Sequence, residues 1–242
     1  MSNFTGEIVD FLSNITNNVT TEKNSIQAKD ISIIALTLGN TYNVINSEKT
    51  IIIHEDIWHT KKDVVKSRLR SILGNTTTIH GRTTKVEAIA NDVLTDFLNI
   101  HHLNVPVKTK FRYGLYHKNE LVAVAAFSKP RKYYRTDDVY NSFELVRYCS
   151  LSDHTVTGGL SKLIKHFIKE QQPDDIVTYI DKEWSEGNGF KRLGFRLIEQ
   201  TPPQYFYVDP NSFERHYARN QDTDIKVSNC GNYKLMLDLK NG

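Results

Sequence analysis

The order of apolar and polar residues changes its period from one stretch of the chain to the next. Residues 143–149 (FELVRYC) form a mostly apolar run, which is typical of a buried strand. A polar loop ending in Gly158-Gly159 follows, and apolar residues then recur at helical spacing, at Leu160, Leu163, Ile164, Phe167 and Ile168. Pro173 lies just past this helix, and residues 175–180 form a second apolar run. The pattern predicts a strand, a glycine loop, a helix and a second strand parallel to the first.

Further elements are predicted on both sides of this unit. Residues 111–116 and 121–128 predict an antiparallel hairpin, because a short polar turn separates two strand-like runs. The other predicted strands are 31–38, 50–54, 196–199, 204–208 and 233–239, the last at a sheet edge, and the other predicted helices are 60–74, 86–100 and 186–193. This order predicts an α/β (α+β) fold. Its mixed, mostly antiparallel sheet has a central parallel strand pair and flanking helices, and a small N-terminal strand and helix region precedes it.

Composition and charge narrow the classes of function. The chain has 39% hydrophobic and 24% charged residues, as a globular protein does. No apolar run approaches about 18 residues, so we expect no membrane span, no secretory signal and a cytoplasmic location. The formal charge of +3 and the pI near 8.7 are mildly basic, so a nucleic-acid contact would need a local patch. Cys149 and Cys230 form neither a disulfide framework nor a zinc pattern, and we predict two free thiols.

The glycine loop opens a helix, where unpaired N–H groups and the helix dipole favour an anionic group. A tight turn that needs positive φ would explain the glycine pair equally well. Together with Leu193-Gly194-Phe195, the stretch 155–160 resembles the GNAT N-acyltransferase superfamily. In the loop pattern of that superfamily, Q/R-x-x-G-x-G/A, this chain keeps the first glycine as Gly158 but has Thr155 and Leu160 at the other two positions. The resemblance implies acetyl-CoA or another acyl-CoA as cofactor. We predict no metal.

The resemblance also implies a cradle for the donor's diphosphate at the start of the helix. Main-chain groups, a hydroxyl and an ammonium would form it, and its candidates are Val156, Thr157, Gly158, Gly159, Ser161 and Lys162. Ser161 and Lys162 also fit an ordinary first helical turn, and that alternative stays open.

A closer resemblance covers roughly the last three-quarters of the chain. Residues 55–74, 143–149, 156–168, 179–197, 201–208 and 230–237 look like a group of phage-encoded proteins. In that group a GNAT-like module, similar to Mom-type DNA-modification proteins, often follows an endonuclease-like region. The resemblance implies a nuclease-like remnant at 1–58 and a GNAT-like acyltransferase domain at 59–242. The strand at 31–38 contains no carboxylate, so we predict that the nuclease is absent or inactive, because a divalent metal needs clustered oxygen ligands.

Acyl transfer from a thioester needs a partner for the developing oxyanion and a base for the amine proton. Arg147 interrupts an apolar strand, and Asp181 ends the next parallel strand, where clefts of open sheets form. We predict Arg147 as the anion partner and Asp181 as the base or substrate orienter. A structural pairing of Arg147 with Glu144 or Asp181 is the alternative.

Two further groups are candidates for the same site. His102, beside Asn104, could position the amine, or it could be a helix C-cap. Many GNAT enzymes have a tyrosine that protonates the departing thiolate, and this chain has Phe190 at that position. Tyr179, Tyr205 or Tyr207 would then take over, unless the thiol leaves without help or the catalytic activity has been lost.

The predicted loop at 129–135 mixes cations and tyrosines, which suits phosphate contact and base stacking. Its candidate DNA contacts are Lys129, Arg131, Lys132, Tyr133 and Arg135. An exposed hairpin tip with chance basic residues would look the same. The leading hypothesis is a phage-type N-acyltransferase that modifies an amine of a DNA base, presented flipped out or single-stranded. The alternatives are a non-catalytic DNA-binding or homing-endonuclease-associated module, which Phe190 favours, and an acyltransferase for a protein or small amine.

Overall fold

The structure, a computed structural model, describes residues 3–22, 25–42, 49–135 and 138–240. The chain divides into two units, each assembled from three segments. Unit 1 consists of Met1–Lys66, Ile180–Asn188 and Glu199–Tyr233, and unit 2 consists of Ser67–Tyr179, Gly189–Ile198 and Lys234–Gly242. The division at residue 58 that the resemblance implies stays a prediction.

The helices and strands follow one another in this order: α1 (Asn3–Ser13), β1 (Val19–Glu22), β2 (Ser25–Ala28), β3 (Ile31–Leu36), β4 (Thr50–His54), α2 (Glu55–Ile72), β5 (Thr77–His80), a 3-10 turn (Gly81–Thr83), β6 (Lys85–Ala88), α3 (Asn91–His101), β7 (Phe111–His117), β8 (Glu120–Phe127), β9 (Arg131–Arg135), β10 (Asp138–Ser150), β11 (His154–Thr157), α4 (Gly159–Gln171), β12 (Asp175–Asp181), α5 (Asn188–Lys191), β13 (Arg196–Gln200), β14 (Tyr205–Val208), β15 (Arg215–His216), β16 (Ile225–Ser228) and β17 (Asn232–Asp238). The predicted α+β class is confirmed, with antiparallel sheets, parallel strand pairs and helices.

Unit 1 contains two sheets. In the first, β1, β2 and β3 form an antiparallel meander, and β4 adds to β3 in parallel. Every residue of β4 is buried, as expected for a short apolar strand covered on both faces. The second sheet is small and antiparallel, with the order β15-β14-β16.

A buried hydrogen-bonded pair of side chains holds β4 to the segment after β12 within unit 1. His54 Nε2 lies 3.0 and 3.1 Å from the two carboxylate oxygens of Glu183, and both side chains are about 95% buried, with 6% and 5% exposed. The same carboxylate accepts the backbone N–H of Cys230 at 3.0 Å. Because a buried polar side chain is costly without a hydrogen-bond partner, this pair fixes the position of the segment.

Unit 2 is built on a mixed sheet with the order β13-β17-β12-β10-β8-β7-β6, with β9 paired to β10. The pair β10 and β12 is parallel, and the pairs β10–β8, β8–β7 and β7–β6 are antiparallel. Residues 233–239 were predicted as an edge strand, and this is wrong: β17 lies between β12 and β13. Sequence order gives no sign of such an insertion, because β17 comes last in the chain but joins the sheet in its interior.

Helices cover both faces of this sheet. On one face, Phe167 of α4 stacks on Phe127 with ring centroids 3.8 Å apart and an interplanar angle of 3°. Alternate residues of a strand point to opposite faces, so Val124 and Ala126 lie on the other face. There they pack with apolar residues of α3, namely Leu94, Phe97 and Leu98, and with Cys149. The two helices therefore fix β8 from both sides.

Two other predicted elements differ from the structure. Residues 86–100 were predicted as one helix, but Lys85–Ala88 forms β6, paired with β7, and the helix begins at Asn91. Pairing with β7 outweighs the helical spacing of the apolar residues in that stretch. The predicted loop at 129–135 contains strand β9, whose residues pair with β10. In the described part of the chain, no helix is both long and apolar enough to cross a membrane.

The two cysteines provide a test of this packing. Both are free thiols, and burial raises the pKa of Cys149 and of Cys230 to about 12. Since the thiolate is the reactive form, we expect iodoacetamide at pH 8 to alkylate both at least about a hundredfold more slowly than in urea-unfolded protein. Mass spectrometry of timed samples measures the two rates separately. Equal rates in the native and unfolded protein would contradict the burial of that thiol.

Candidate functional site

Strand β10 changes its hydrogen-bonding partners along its length. Residues 138–142 pair with β9, residues 142–144 pair in parallel with β12, and residues 145–150 pair with β8 on the other side. The parallel register ends at Glu144 opposite Val177, and the register with β8 shifts between Leu145 and Arg147, which indicates a bulge. Beyond this point the Thr178 hydroxyl still donates to the Leu145 carbonyl at 3.0 Å. The two parallel strands therefore part after Glu144, within unit 2.

Gly158 and Gly159 are each required at their position, for different physical reasons. Gly158 is the N-cap of α4 with φ 76°, a left-handed conformation that glycine adopts without a steric penalty. A Cβ there would meet no atom within 4 Å, so the space beside it is open. At Gly159, in contrast, a Cβ would lie 2.8 Å from the Val156 side chain and 3.0 Å from Leu115. Gly158 thus sets the direction of the chain, and Gly159 allows the helix to pack closely.

The 3-10 turn at Gly81–Thr83 packs against the glycine loop. A Cβ on Gly81 would lie 3.0 Å from the backbone of both loop glycines, so the backbone of this turn lies directly against them. The Lys162 ammonium donates to the carbonyl of Gly81 at 3.0 Å and to that of Thr84. Lys162, a predicted cradle residue, thus ties the first turn of α4 to the 3-10 turn.

Strand β11 takes up part of the predicted cradle. Val156 lies opposite Ile79 of β5 and Thr157 lies opposite His80, in a parallel ladder. Their backbone groups therefore belong to a two-stranded sheet that the sequence did not predict, because both strands are short and rich in threonine. Gly158, Gly159 and Ser161 remain at the start of the helix, where N–H groups have no partner one turn earlier.

Tyr148 of β10 lies at this same helix start. Its hydroxyl accepts a hydrogen bond from the Leu160 N–H and lies 3.4 Å from the Ser150 hydroxyl. Burial raises the pKa of Tyr148, so the side chain is neutral at physiological pH. Sequence reasoning missed this residue, which supports the loop from the strand side.

A pocket of about 280 Å³ lies on unit 2 beside the end of the parallel ladder. Its lining combines cations, tyrosines, apolar residues and one carboxylate: Arg131, Tyr133, Ser142, Phe143, Glu144, Val177, Tyr179, Ile198 and Lys234. Glu144 is half-buried there, and within the described residues its carboxylate forms no hydrogen bond or ion pair. Sequence reasoning considered Glu144 only as a structural partner of Arg147. The signal in the sequence was the charge of Glu144 inside an otherwise apolar strand, which could have indicated that its side chain lines a site.

The two leading catalytic candidates both contact backbone groups. The Arg147 guanidinium donates to the carbonyls of Val146 at 2.8 Å and Val105 at 3.3 Å. Asp181 accepts the Glu183 N–H at 2.9 Å, so its carboxylate caps the turn that follows β12 in unit 1. Arg147 belongs to unit 2, at the bulge of β10.

The other catalytic candidates are distributed over both units. His102 is the C-cap of α3, and its Nδ1 accepts the Asn104 N–H at 3.0 Å, as the C-cap alternative describes. Tyr205 and Tyr207 lie in β14 of unit 1, where the Lys226 ammonium is 4.1 Å from the Tyr205 ring centroid. Phe190 packs edge-on against Phe195 in unit 2, with centroids 5.4 Å apart.

The predicted DNA contacts follow the alternation of β9. Arg131 and Tyr133 line the pocket, and Lys132, whose side chain points to the opposite face, is exposed. Lys129 is exposed just before the strand, and Arg135 is its last residue. Strand β9 therefore directs Arg131 and Tyr133 to one face of the sheet and Lys132 to the other, whereas a loop would have exposed them together.

The glycine pair predicts two different stability effects. Gly159→Ala places a Cβ against Val156 and Leu115, and we expect it to lower the free energy of unfolding by about 1–3 kcal/mol. Gly158→Asn should cost less than about 1 kcal/mol, because asparagine tolerates the left-handed conformation and the space is open. Urea unfolding followed by circular dichroism measures both. Equal losses would contradict the close packing at Gly159.

No protein family and no curated protein sequence matches this chain. Solved structures do. An acetyltransferase from Bacillus subtilis in complex with CoA is 17% identical over 64% of this chain and 99% of its own, with a TM-score of 0.44. An IAA acetyltransferase from Bacillus cereus is 12% identical over 64% and 99%, with a TM-score of 0.41. A GNAT family acetyltransferase from Elizabethkingia anophelis with acetyl-CoA bound is 11% identical over 65% and 99%, with a TM-score of 0.39.

Proposed function

We propose that unit 2 binds an acyl-CoA and transfers its acyl group to an amine. The observation that carries the proposal is the parting of β10 from β12 directly beside a glycine loop at the start of a 13-residue helix. Backbone N–H groups and the helix dipole at that start suit a diphosphate. The amide groups of a pantetheine arm can hydrogen-bond to the open edge of β10, as a peptide does when it adds to a sheet edge.

The distribution of charge between the units supports an anionic ligand on unit 2. Unit 2 has 21 Lys and Arg against 12 Asp and Glu, a formal charge of +9, and unit 1 has 10 against 16, a formal charge of −6. The two values add to the +3 of the whole chain. The small net charge of the whole chain is therefore the sum of a strongly basic unit 2 and an acidic unit 1. The positive charge of unit 2 favours binding of a phosphorylated cofactor.

The residues of the pocket provide the groups that this reaction needs. An amine attacks the thioester carbon, loses a proton to a base, and the thiolate leaves and takes up a proton. Glu144 is the proposed base, because its carboxylate lines the pocket where the strands begin to part. Tyr179 lines the same pocket and is the proposed proton donor in place of Phe190. Arg147, at the bulge of β10, is the proposed partner of the oxyanion.

The proposed acceptor is an amine of a DNA base, and the chain is proposed to act in the cytoplasm of a phage-infected bacterium. The sequence resemblance to Mom-type phage proteins supports this choice. Cations and tyrosines beside the pocket support it from the structure. Phe190 favours the second candidate, a non-catalytic DNA-binding module that has kept the fold. A protein or small amine as acceptor is the third.

Donor binding is tested by a charge placed in the first turn of α4. We expect acetyl-CoA at about 100 times its Kd to stabilise the protein by about 2.7 kcal/mol, seen as a rise in Tm. Ser161→Glu should abolish this rise, because its carboxylate repels the diphosphate. It should not lower the Tm of the free protein, because an acidic residue near a helix N-terminus is favourable.

Lys165→Glu, one turn later on an exposed position of the same helix, is the matched control and should keep the rise in Tm. A flat titration with wild-type protein would contradict donor binding and favour the non-catalytic module. Mass spectrometry of nucleosides from DNA co-expressed with the protein then identifies the acceptor. Unmodified nucleosides together with acylated proteins or amines would support the third candidate.

The base is tested by comparing two carboxylates. Glu144→Gln should lower kcat by about a hundredfold or more and leave acetyl-CoA binding unchanged, because the amide keeps the shape but cannot accept the proton. Asp181→Asn should change kcat little, since Asp181 caps a turn and an amide oxygen can still accept the Glu183 N–H. Thiol release with a saturating amine measures both. The opposite order of effects would make Asp181 the base.

A further inference from the structure

One face of the unit 2 sheet combines exposed aromatic rings with cations around the pocket. We call it the pocket face and define it by Arg131, Tyr133, Glu144, Tyr179 and Lys234. We infer that this face binds single-stranded nucleic acid and holds one unstacked base in the pocket beside Glu144. The assignment of that base as the acyl acceptor rests on the proposed function.

Strand register places these side chains on one face. Arg131 lies opposite Ser142 in the antiparallel pair of β9 and β10, and Tyr133 lies opposite Tyr140. Directly opposite residues share a face, and so do residues two apart along a strand. Glu144 therefore lies on the same face as Ser142, and Lys132 and Tyr134 lie on the opposite one. This separation of the side chains comes from the backbone alternation of residues 131–134.

Exposed rings on this face suit base stacking. Tyr133 is 46% exposed and Tyr179 is 43% exposed, although both are large and line a pocket. The Lys234 ammonium lies 6.0 Å from the Tyr179 ring centroid, so a cation and a ring are presented together. Successive bases stack on such rings, and cations neutralise the phosphates between them. The composition of the pocket face therefore favours single-stranded nucleic acid without a fixed base sequence.

The pocket itself suits one base. Its volume of about 280 Å³ and its mixture of apolar and polar lining fit a single planar heterocycle with hydrogen-bonding edges. A base inside it cannot stay stacked in a duplex, so the strand must be single or the base flipped out. Glu144 can accept a hydrogen bond from an exocyclic amine, which is a donor on adenine and cytosine.

An acidic peptide is the competing partner, because the +9 charge of unit 2 attracts any polyanion. Such a peptide would contact Arg131 and Lys234 but would leave the two exposed tyrosine rings without a role. The rings therefore favour the nucleic acid.

The face is tested with neighbouring residues of β9 as matched pairs. Fluorescence anisotropy of a labelled mixed-sequence single-stranded oligodeoxynucleotide measures the Kd of the full chain at a fixed salt concentration. Arg131→Gln and Tyr133→Leu should each weaken binding about fivefold or more, from the loss of a phosphate contact and of a stacked base. Lys132→Gln and Tyr134→Leu likewise remove one cation and one tyrosine ring, but from the opposite face. They should change the Kd less than about twofold.

Equal loss in both pairs would show general electrostatic attraction and overturn the inference, as would the absence of binding by the wild-type chain. Displacement of the oligonucleotide by polyglutamate at equal charge, with no effect of Tyr133→Leu, would assign the face to acidic peptides and overturn it as well. Titration of the same variants with acetyl-CoA keeps the two proposals apart. Oligonucleotide binding with a flat acetyl-CoA titration would support the pocket face and count against the transferase.

Discussion

The backbone hydrogen bonds of one strand organise unit 2. A strand in the middle of a sheet normally pairs its N–H and C=O groups on both sides, and β10 has three partners in turn along its 13 residues. It pairs with β12 over three residues only, and its register with β8 shifts directly after them. The opening therefore lies where β10 changes its partners. It lies next to the helix start because α4 follows β10 in the chain after one short strand.

Close backbone packing holds the glycine loop in a fixed position beside this opening. The 3-10 turn at Gly81 lies against the glycine loop, Lys162 ties the two together, and Tyr148 supports the loop from β10. A rigid loop keeps its N–H groups in place before any ligand arrives, which lowers the entropic cost of binding. The residues that line the pocket, beside the end of the parallel β10–β12 ladder, all belong to strands. A site on strands holds its side chains more firmly than a site on loops.

Period and turn residues were sufficient to predict β10, α4, β12 and the β7-β8 hairpin, because each has a long apolar pattern that packing reinforces. They were insufficient for β5 and β11, whose threonine-rich sequences gain their structure by pairing with each other over a separation of 77 positions, as between His154 and Thr77. The predicted site stays a prediction, and the structure adds what its side chains contact. Asp181 and Lys162 stand at the predicted places but contact backbone groups, and these contacts depend on chain segments that are remote in sequence. Glu144 and Tyr148 were hidden inside a run that was read as apolar.

The division of the chain into interleaved segments has a consequence for its folding. Unit 1 begins with the first residues but also requires residues 199–233, so it cannot be completed until most of the polypeptide has been synthesised. Contacts between such distant parts close long loops and slow folding. A cut at any one peptide bond would leave at least one unit without a segment. Neither unit corresponds to a fragment that can be expressed by simple truncation, and insertions or fusions are best tolerated at surface turns inside a segment.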